Sequence, residues 1–342
     1  MFAGLLLISL AVLTACMPSA DDYFKSAGTY YDKKQWPQAI AEYSRAIALD
    51  PSKPYQYVAR GMAYHWNKQD DLALADLNHA IEVNPASGNA YYQRGWFYNW
   101  TGSPDKALAD FSKAIEVNAK NSSYYFSRAG CYFNLKQYDR AIQDLDSALE
   151  LKAKNTADVY SLRGMCRYGQ QDYGRAIEDI NKAVELDPEN GYYLNNRGWY
   201  YLEMGDYTTA LPDLEKALTL APNDGAIWDS RGWYYYKMGY ITQALDDINR
   251  ALSLDTEDYE MLCHRAQCYY ALKQYDAAMA DLDAAISLDD KYADAYYYRA
   301  LCYKALGQPD NAIADLQSAV NVSTDTPLLK QAMDEIKALK QQ

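Results

Sequence analysis

The amino-acid sequence predicts an all-α protein, an α-solenoid of nine helix-turn-helix repeats followed by a C-terminal capping helix. Three regularities lead to this prediction: a period of 34 residues, a pair of alanines in every repeat, and prolines at several repeat ends. A fixed period of this length is typical of stacked repeats, in which each unit contacts mainly its neighbours. The question of function therefore becomes which molecule binds the long surface.

A small residue marks the first helix of every repeat. It recurs every 34 residues, with a single step of 35 between the fourth and fifth repeats, at Ala27, Gly61, Gly95, Ala129, Gly164, Gly198, Gly232, Ala266 and Ala300. An aromatic residue follows three positions later, except in the fifth repeat, where Arg167 stands. In this register the predicted repeats are 20–53, 54–87, 88–121, 122–156, 157–190, 191–224, 225–258, 259–292 and 293–326.

The second helix of every repeat carries two alanines seven residues apart, such as Ala39 and Ala46 in the first repeat. Residues i and i+7 lie on one face of a helix, and alanine lets two backbones approach closely. Proline stops a helix, and it closes several repeats, at Pro51, Pro85, Pro188 and Pro222. Each repeat is therefore expected to be a pair of short helices.

Residues 327–342 are predicted to form the capping helix. Pro327 suits the first turn, where its missing N–H costs nothing. An open solenoid end needs a helix with one apolar face and one polar face. The expected apolar stripe is Leu328, Leu329, Ala332, Met333, Ile336 and Leu339, and the residues expected to face away are Lys330, Asp334, Glu335, Lys337 and Lys340.

The aromatic, small, tyrosine, alanine and proline landmarks of this unit resemble the tetratricopeptide repeat over about residues 20–326. The resemblance implies right-handed superhelical stacking, with a concave face lined by the first helices. It does not identify a partner, because the family binds many unrelated molecules. The sequence departs from the family at the seventh position of the repeat, where arginine stands in place of the usual leucine.

Eight repeats combine this arginine with an aspartate sixteen residues later. A buried guanidinium without a carboxylate would be costly, and a forked guanidinium can satisfy both carboxylate oxygens. Because each cation comes with its own anion, we expect structural ion pairs rather than a ladder that binds phosphate or carboxylate ligands. The expected pairs are Arg60–Asp76, Arg94–Asp110, Arg128–Asp144, Arg163–Asp179, Arg197–Asp213, Arg231–Asp247, Arg265–Asp281 and Arg299–Asp315.

Aromatic and polar residues at first-helix positions form the candidate groove for a partner. Family positions two, five, nine, twelve and thirteen imply two clusters: His65, Trp66, Tyr92, Trp96, Asn99 and Trp100, then Asn195, Trp199, Asp229, Trp233 and Tyr236. Rigid rings beside polar groups provide contact area at little entropic cost. The alternative is that these tryptophans only pack between helices. Trp36 and Trp228 are interpreted as packing residues.

The amino terminus is interpreted as a lipoprotein signal peptide over residues 1–15, with residues 16–19 as the lipidated tether. An apolar run from Phe2 to Cys16 is too short to span a bilayer but suits a signal-peptide core. It ends in Leu13-Thr14-Ala15-Cys16, which resembles the lipobox of bacterial lipoproteins, although no basic residue precedes the run. The resemblance implies acylation of Cys16 and membrane anchoring; the alternative is an uncleaved short anchor or a buried hydrophobic strand. Met17 after the cysteine favours the outer membrane if the cell has one, and otherwise the outer face of the cytoplasmic membrane.

No catalytic, cofactor or metal site is expected. Phosphate-binding loop, zincin and nucleophile-elbow motifs are absent from the sequence, and the three histidines show no ligand spacing. Four cysteines, Cys131, Cys166, Cys268 and Cys302, fall two residues after the small anchor and are expected to be buried and unpaired. The net charge of −13 argues against nucleic-acid partners.

Two functions therefore remain open. The first is a non-catalytic, membrane-anchored scaffold that binds a protein or peptide of the bacterial cell envelope. The second is an envelope protein that binds a glycan by stacking aromatic rings on sugars. A carboxylate-clamp co-chaperone would need lysine and asparagine at positions where this chain has Val58 and Met62, so that reading is rejected.

Overall fold

The computed structural model describes residues 18–323 and 326–341, and their regular structure is entirely α-helical. The all-α repeat architecture predicted from the sequence is confirmed. The helices are α1 (Ala20–Asp32), α2 (Trp36–Leu49), α3 (Pro54–Trp66), α4 (Asp70–Val83), α5 (Gly88–Trp100), α6 (Pro104–Val117), α7 (Ser122–Asn134), α8 (Tyr138–Glu150), α9 (Thr156–Gly169), α10 (Tyr173–Leu186), α11 (Gly191–Glu203), α12 (Tyr207–Leu220), α13 (Gly225–Lys237), α14 (Ile241–Leu254), α15 (Tyr259–Ala271), α16 (Tyr275–Leu288), α17 (Ala293–Ala305), α18 (Pro309–Val322) and α19 (Thr326–Leu339).

The turn inside each repeat contains one residue in the left-handed region of backbone space. It recurs at the repeat period, at Lys34, Lys68, Gly102, Lys136, Gln171, Gly205, Gly239, Lys273 and Gly307, with φ from 56° at Lys136 to 80° at Gly239. A residue in this conformation ends a helix abruptly and reverses the chain. Lys152 has the same conformation between α8 and α9, where the repeat is one residue longer.

The core of each repeat is centred on the second helix. Both of its alanines are fully buried in every repeat. A larger side chain lies four residues after the first alanine and is almost completely buried, at Tyr43, Leu77, Phe111, Leu145, Ile180, Leu214, Ile248, Leu282 and Leu316. At Gly61, Gly95, Gly198 and Gly232 the small anchor lies directly against this side chain; a Cβ on Gly232 would lie 2.6 Å from Cγ1 of Ile248. The anchor must therefore be small because the second helix passes very close to it.

The described chain divides into two compact units, one ending at Asp172 and the other beginning at Tyr173. The first contains α1–α9 and the second contains α10–α19. Within each unit, helices that follow one another in the chain pack together, as do α3 with α5 and α13 with α15. No helix among the described residues is long and apolar enough to cross a membrane.

Helix α19 covers the end of the second unit with Leu328, Ala332 and Leu339, which are buried. Two details differ from the sequence-based expectation. Met333 is 58% exposed because it lies one position beyond the buried stripe set by Ala332. Glu335, expected to face away, accepts a hydrogen bond of 2.6 Å from Nζ of Lys304 on α17. The predicted signal peptide and Cys16 lie outside the described residues.

Candidate functional site

The arginines of the repeat make two-pronged contacts with the aspartates sixteen residues later. In each contact Nε donates to one carboxylate oxygen and Nη2 to the other, at 2.6 to 2.8 Å. The pairs brought together are Arg60–Asp76, Arg94–Asp110, Arg128–Asp144, Arg197–Asp213, Arg231–Asp247, Arg265–Asp281 and Arg299–Asp315. Arg163 lies in the first unit and Asp179 in the second, so their pairing stays a prediction.

The remaining guanidinium nitrogen, Nη1, reaches back to the second helix of the preceding repeat, a contact that the sequence analysis did not anticipate. Its partner stands sixteen residues before the arginine in six repeats, at Ser44, Asn78, Ser112, Asn181, Asn249 and Asp283. In the fifth repeat Arg163 donates to Asp146, seventeen residues earlier. The signal was present in the sequence as a recurrent polar residue at this spacing. Each of these arginines therefore joins two neighbouring repeats.

The candidate groove residues of the second and third repeats form one aromatic cluster in the first unit. Trp66 lies with its ring centroid 5.9 Å from that of Trp96 and 5.6 Å from that of Trp100. Trp96 and Trp100 are stacked at 5.3 Å. Trp36 stacks on Trp66 at 6.2 Å and extends the row. We call Trp36, Trp66, Trp96 and Trp100 the tryptophan cluster.

The members of this cluster differ in accessibility. Trp100 is 59% exposed, whereas Trp66 and Trp96 are half-buried. His65 is buried beneath them, and its Nδ1 lies 2.7 Å from Oδ1 of Asp70 at the start of α4. The cluster therefore has a packed base and one ring open to a partner.

The other two candidates of this region, Tyr92 and Asn99, lie on α5 with Trp96 and Trp100 and contact the next repeat. Oη of Tyr92 accepts a hydrogen bond of 3.2 Å from Ser127, and the Tyr92 ring lies 5.0 Å from that of Tyr124. Oδ1 of Asn99 accepts a contact of 3.1 Å from the thiol of Cys131. These contacts join α5 to α7. A smaller fraction of the Tyr92 side chain than of the Trp100 side chain is therefore accessible to a partner.

A cavity of about 310 Å³ adjoins the tryptophan cluster. It is lined by Tyr31, Tyr43, Tyr55, Val58, Ala59, Met62, Asn89 and Gln93. Tyr31 connects the two features, because it lines the cavity and its ring lies 5.1 Å from that of Trp36. An apolar floor with amide groups at one side suits an extended peptide segment.

In the second unit, Asn195, Trp199 and Asp229 line a second cavity of about 330 Å³. We call it the acidic cleft; its other lining residues are Asn196, Ala226, Ser230, Asp258, Glu260, Met261, His264 and Tyr292. It draws on α11, α13 and α15, the first helices of three successive repeats, and on the residue before α17. His264 and Glu260 were not among the sequence-predicted site residues.

Two candidate residues of the second unit do not line this cleft. Trp233 is only 9% exposed; its ring stacks on those of His264 at 4.3 Å and Tyr236 at 4.9 Å, and Nζ of Lys237 lies 4.7 Å from its centroid. Its Nε1 donates to Glu203 at 3.3 Å. The expectation of an accessible ring is not met by Trp233, because these neighbours bury it. Trp199 retains a partly open ring at the cleft.

Electrostatics in the cleft are dominated by the pair formed by Asp229 and His264. Nδ1 of His264 lies 2.9 Å from Oδ2 of Asp229. Burial by itself would lower the pKa of His264, but the charge of Asp229 and the hydrogen bond outweigh it, so the pKa is raised. Glu260 stands at the rim, where loss of solvation raises its pKa and the charge of His264 opposes that shift.

The cysteines of the described repeats lie away from solvent. Cys131, Cys166, Cys263, Cys268 and Cys302 are buried, and none of them forms a disulfide. Loss of solvation raises the pKa of Cys131 and Cys302 to about 11. Within the residues that the structure describes, no group of histidine, cysteine, aspartate and glutamate side chains could hold a metal ion.

Comparison with solved structures shows the fold. Human IFIT1, solved with m7Gppp-AAAA, superposes with a TM-score of 0.66 at 15% identity, covering 94% of this chain and 81% of that one. The APC/C hetero-tetramer Cut9–Hcn1 gives 0.65 at 14% identity, covering 94% and 76%. TTC0263, a thermophilic TPR protein of Thermus thermophilus, gives 0.50 at 20% identity, covering 53% and 99%. A search of curated protein sequences gives no match.

Family profiles settle the classification. Profiles described as TPR repeat or tetratricopeptide repeat match residues 29–68, 101–156, 157–190, 191–224, 230–293 and 282–314. Proteins built from this repeat typically act as non-catalytic scaffolds that bind protein partners. The chain belongs to the tetratricopeptide repeat family.

Proposed function

We propose that this protein is a non-catalytic, lipid-anchored scaffold that binds a protein or peptide of the bacterial cell envelope. The observation that carries the binding part is Trp100, a large ring that is 59% exposed above a packed row of indoles. An exposed indole on a rigid base is the kind of residue that dominates binding energy at protein interfaces. The cavity lined by residues from Tyr31 to Gln93 adjoins this ring cluster and could hold a peptide segment.

The envelope part of the proposal rests on the amino terminus. The lipobox-like Leu13-Thr14-Ala15-Cys16 would place acyl chains on Cys16, and several chains on one residue hold a protein at a membrane stably. Cys16 precedes Asp22 by only six positions, so the first repeat would lie within roughly 20 Å of the lipid surface. A scaffold held so close to the membrane suits partners that are themselves in the envelope. The net charge of −13 disfavours nucleic acid as the partner.

Site-specific photo-crosslinking tests this function. A photoreactive phenylalanine analogue replaces Trp100 in cells, and the matched control replaces Tyr240, another aromatic residue that is 51% exposed but lies outside the tryptophan cluster. We expect a discrete envelope protein crosslinked from position 100 and none from position 240. Equal crosslinking from both positions would contradict a dedicated surface. Release of the crosslinked species by glycosidase, rather than by protease, would establish the glycan-binding alternative.

A further inference from the structure

The acidic cleft contains buried polar atoms that no described residue satisfies. Oδ1 of Asn195 and Nδ2 of Asn196 are buried and have no hydrogen-bond partner among the described residues. Asn195 is only 9% exposed and lines the cleft. A buried polar atom without a partner costs about 1–3 kcal/mol, and such atoms are usually satisfied by a water or a ligand. The cleft therefore offers a ligand an unused acceptor at Oδ1 of Asn195 and an unused donor at Nδ2 of Asn196.

The charge around these atoms is negative. Asp229 is balanced by His264, but neither Asp258 nor Glu260 forms an ion pair with a lysine or arginine in the part of the chain that the structure describes. Oδ1 of Asp258 caps α15 by accepting from the backbone N–H groups of Glu260 and Met261. A cation entering the cleft would find two carboxylates that lack a cationic partner and one free amide oxygen.

The aromatic ring that lines the cleft, that of Trp199, also suits a cation. The ring of Trp199 is half-buried and lines the cleft, 6.4 Å from the ring of His264. Indole faces attract ammonium and guanidinium groups, and a planar guanidinium can stack on them. The neighbouring Trp233 is not available for this because it is buried and Nζ of Lys237 already lies 4.7 Å from its ring centroid. A sugar would use the ring of Trp199, but it would leave the carboxylates without a cation.

We propose that the acidic cleft binds the positively charged side chain of an arginine or lysine in the peptide partner. Oδ1 of Asn195 and the carboxylate of Glu260 accept hydrogen bonds from the cation, and the ring of Trp199 packs against its stem or plane. The inference rests on the proposed scaffold function and defines the chemistry of its partner. It requires a basic residue in the bound segment, which matches the acidic character of the whole chain.

Titration of the full chain with a set of short peptides tests the inference. The reference probe is acetyl-Gly-Ser-Arg-Ser-Gly-amide; the others carry lysine, the neutral isostere citrulline, or glutamate in place of arginine. Binding is followed by tryptophan fluorescence and calorimetry. We expect citrulline to weaken binding by about 10-fold or more and glutamate to abolish it, because only a cation neutralises the cleft. Equal affinity for the arginine and citrulline peptides would overturn the inference.

Two variants and one control locate the site. Glu260→Gln and Asn195→Leu should each weaken binding of the arginine peptide by about 5–10-fold, since each removes one acceptor of the cation. Glu257→Gln changes an exposed carboxylate in the loop before α15 and should leave the affinity unchanged. Glu260 lies at the rim, so its replacement does not threaten folding. An unchanged affinity in Glu260→Gln overturns the inference, as does binding of N-acetylglucosamine trimer with no response to the arginine peptide.

The inference and the proposed function fail separately. Suppose that position 100 still crosslinks an envelope protein but the arginine peptide binds no better than the citrulline peptide. The cleft is then not selective for a cation, and the scaffold function stands. If the cleft binds arginine but position 100 gives no specific crosslink, the proposed tryptophan surface is wrong while the cleft remains a cation site.

Discussion

At the scale of single residues, the arginine at position seven of the repeat joins three helices. Arg197 contacts Asp213 on the second helix of its own repeat and Asn181 on the second helix of the repeat before. Its side chain is 24% exposed and that of Asp213 is 11% exposed, so water still reaches part of the pair. The sequence predicted the aspartate from spacing and charge. It did not predict the contact to Asn181, because a neutral amide carries no charge signal.

The first prediction concerns this pair. Asp213→Leu should lower the free energy of unfolding by about 2–3 kcal/mol, since it leaves Arg197 without its main acceptor. This is below the roughly 3–5 kcal/mol expected for a fully buried pair, because the guanidinium is partly solvated. The double variant with Arg197→Met should cost at least about 1 kcal/mol less than the sum of the single changes in denaturant unfolding. Additive effects would show that the pair is not coupled.

The second prediction concerns His264. Its folded-state pKa is raised above that of the unfolded chain, so protonation stabilises the fold. That contribution is fully present below about pH 6.5 and is lost as the pH rises through the folded-state pKa. The free energy of unfolding should therefore fall across this window, and His264→Gln should reduce the fall. His79→Gln, which removes an exposed histidine, is the control. A proton NMR titration placing the pKa of His264 below its ordinary value would contradict the account.

At the scale of the helix pair, the distance between backbones is set by the small anchor of the first helix. A Cβ atom built on Gly232 would lie 3.2 Å from the backbone oxygen of Ala244, and it would also meet the side chain of Ile248. The 34-residue period, the alanine pairs and the anchor were enough to predict an architecture of paired helices, since each acts through local periodicity. The exposure of Met333 could not be predicted as readily. The apolar residues of a single terminal helix do not show which of them at the edge of the stripe contact the preceding helices.

The third prediction compares two glycines in equivalent helices. Gly232→Ala should destabilise the protein by about 1–3 kcal/mol, because the new methyl group would overlap Ile248. Gly130→Ala places a methyl group where no atom lies within 4 Å, and it should stabilise by about 0.5–1 kcal/mol through helix propensity. Thermal unfolding of both variants measures the difference. Equal effects at the two sites would mean that the close approach does not constrain the anchor.

At the scale of the whole molecule, function depends on features that the repeat does not require. The family positions led to Trp66, Trp96 and Trp100 of the tryptophan cluster and to three residues of the acidic cleft, Asn195, Trp199 and Asp229. They could not show that Trp233 is buried, nor that His264 and Glu260 complete the cleft, because those facts depend on how neighbouring repeats pack. Accessibility separates packing from binding, and only the three-dimensional structure provides it.

The fourth prediction concerns attachment to the membrane. Cys16→Ser should abolish lipidation and release the protein from the membrane fraction, because the thiol of Cys16 is the expected acyl acceptor. Metabolic labelling with a palmitate analogue, followed by fractionation of the cells, measures both effects. Met17→Ala, which keeps the cysteine, is the control. Unchanged labelling and membrane binding in Cys16→Ser would contradict the lipoprotein proposal.

The central claim is that the tryptophan cluster binds a partner through its exposed ring, and one paired measurement tests it most directly. Melting temperature and affinity for the crosslinked partner are measured for Trp100→Ala, with Tyr240→Ala as control. We predict that Trp100→Ala changes stability by less than about 1 kcal/mol and weakens binding by about 2 kcal/mol or more, the usual size of an interface hot spot. A loss of stability of about 3–5 kcal/mol with unchanged affinity would identify Trp100 as a packing residue and contradict the account.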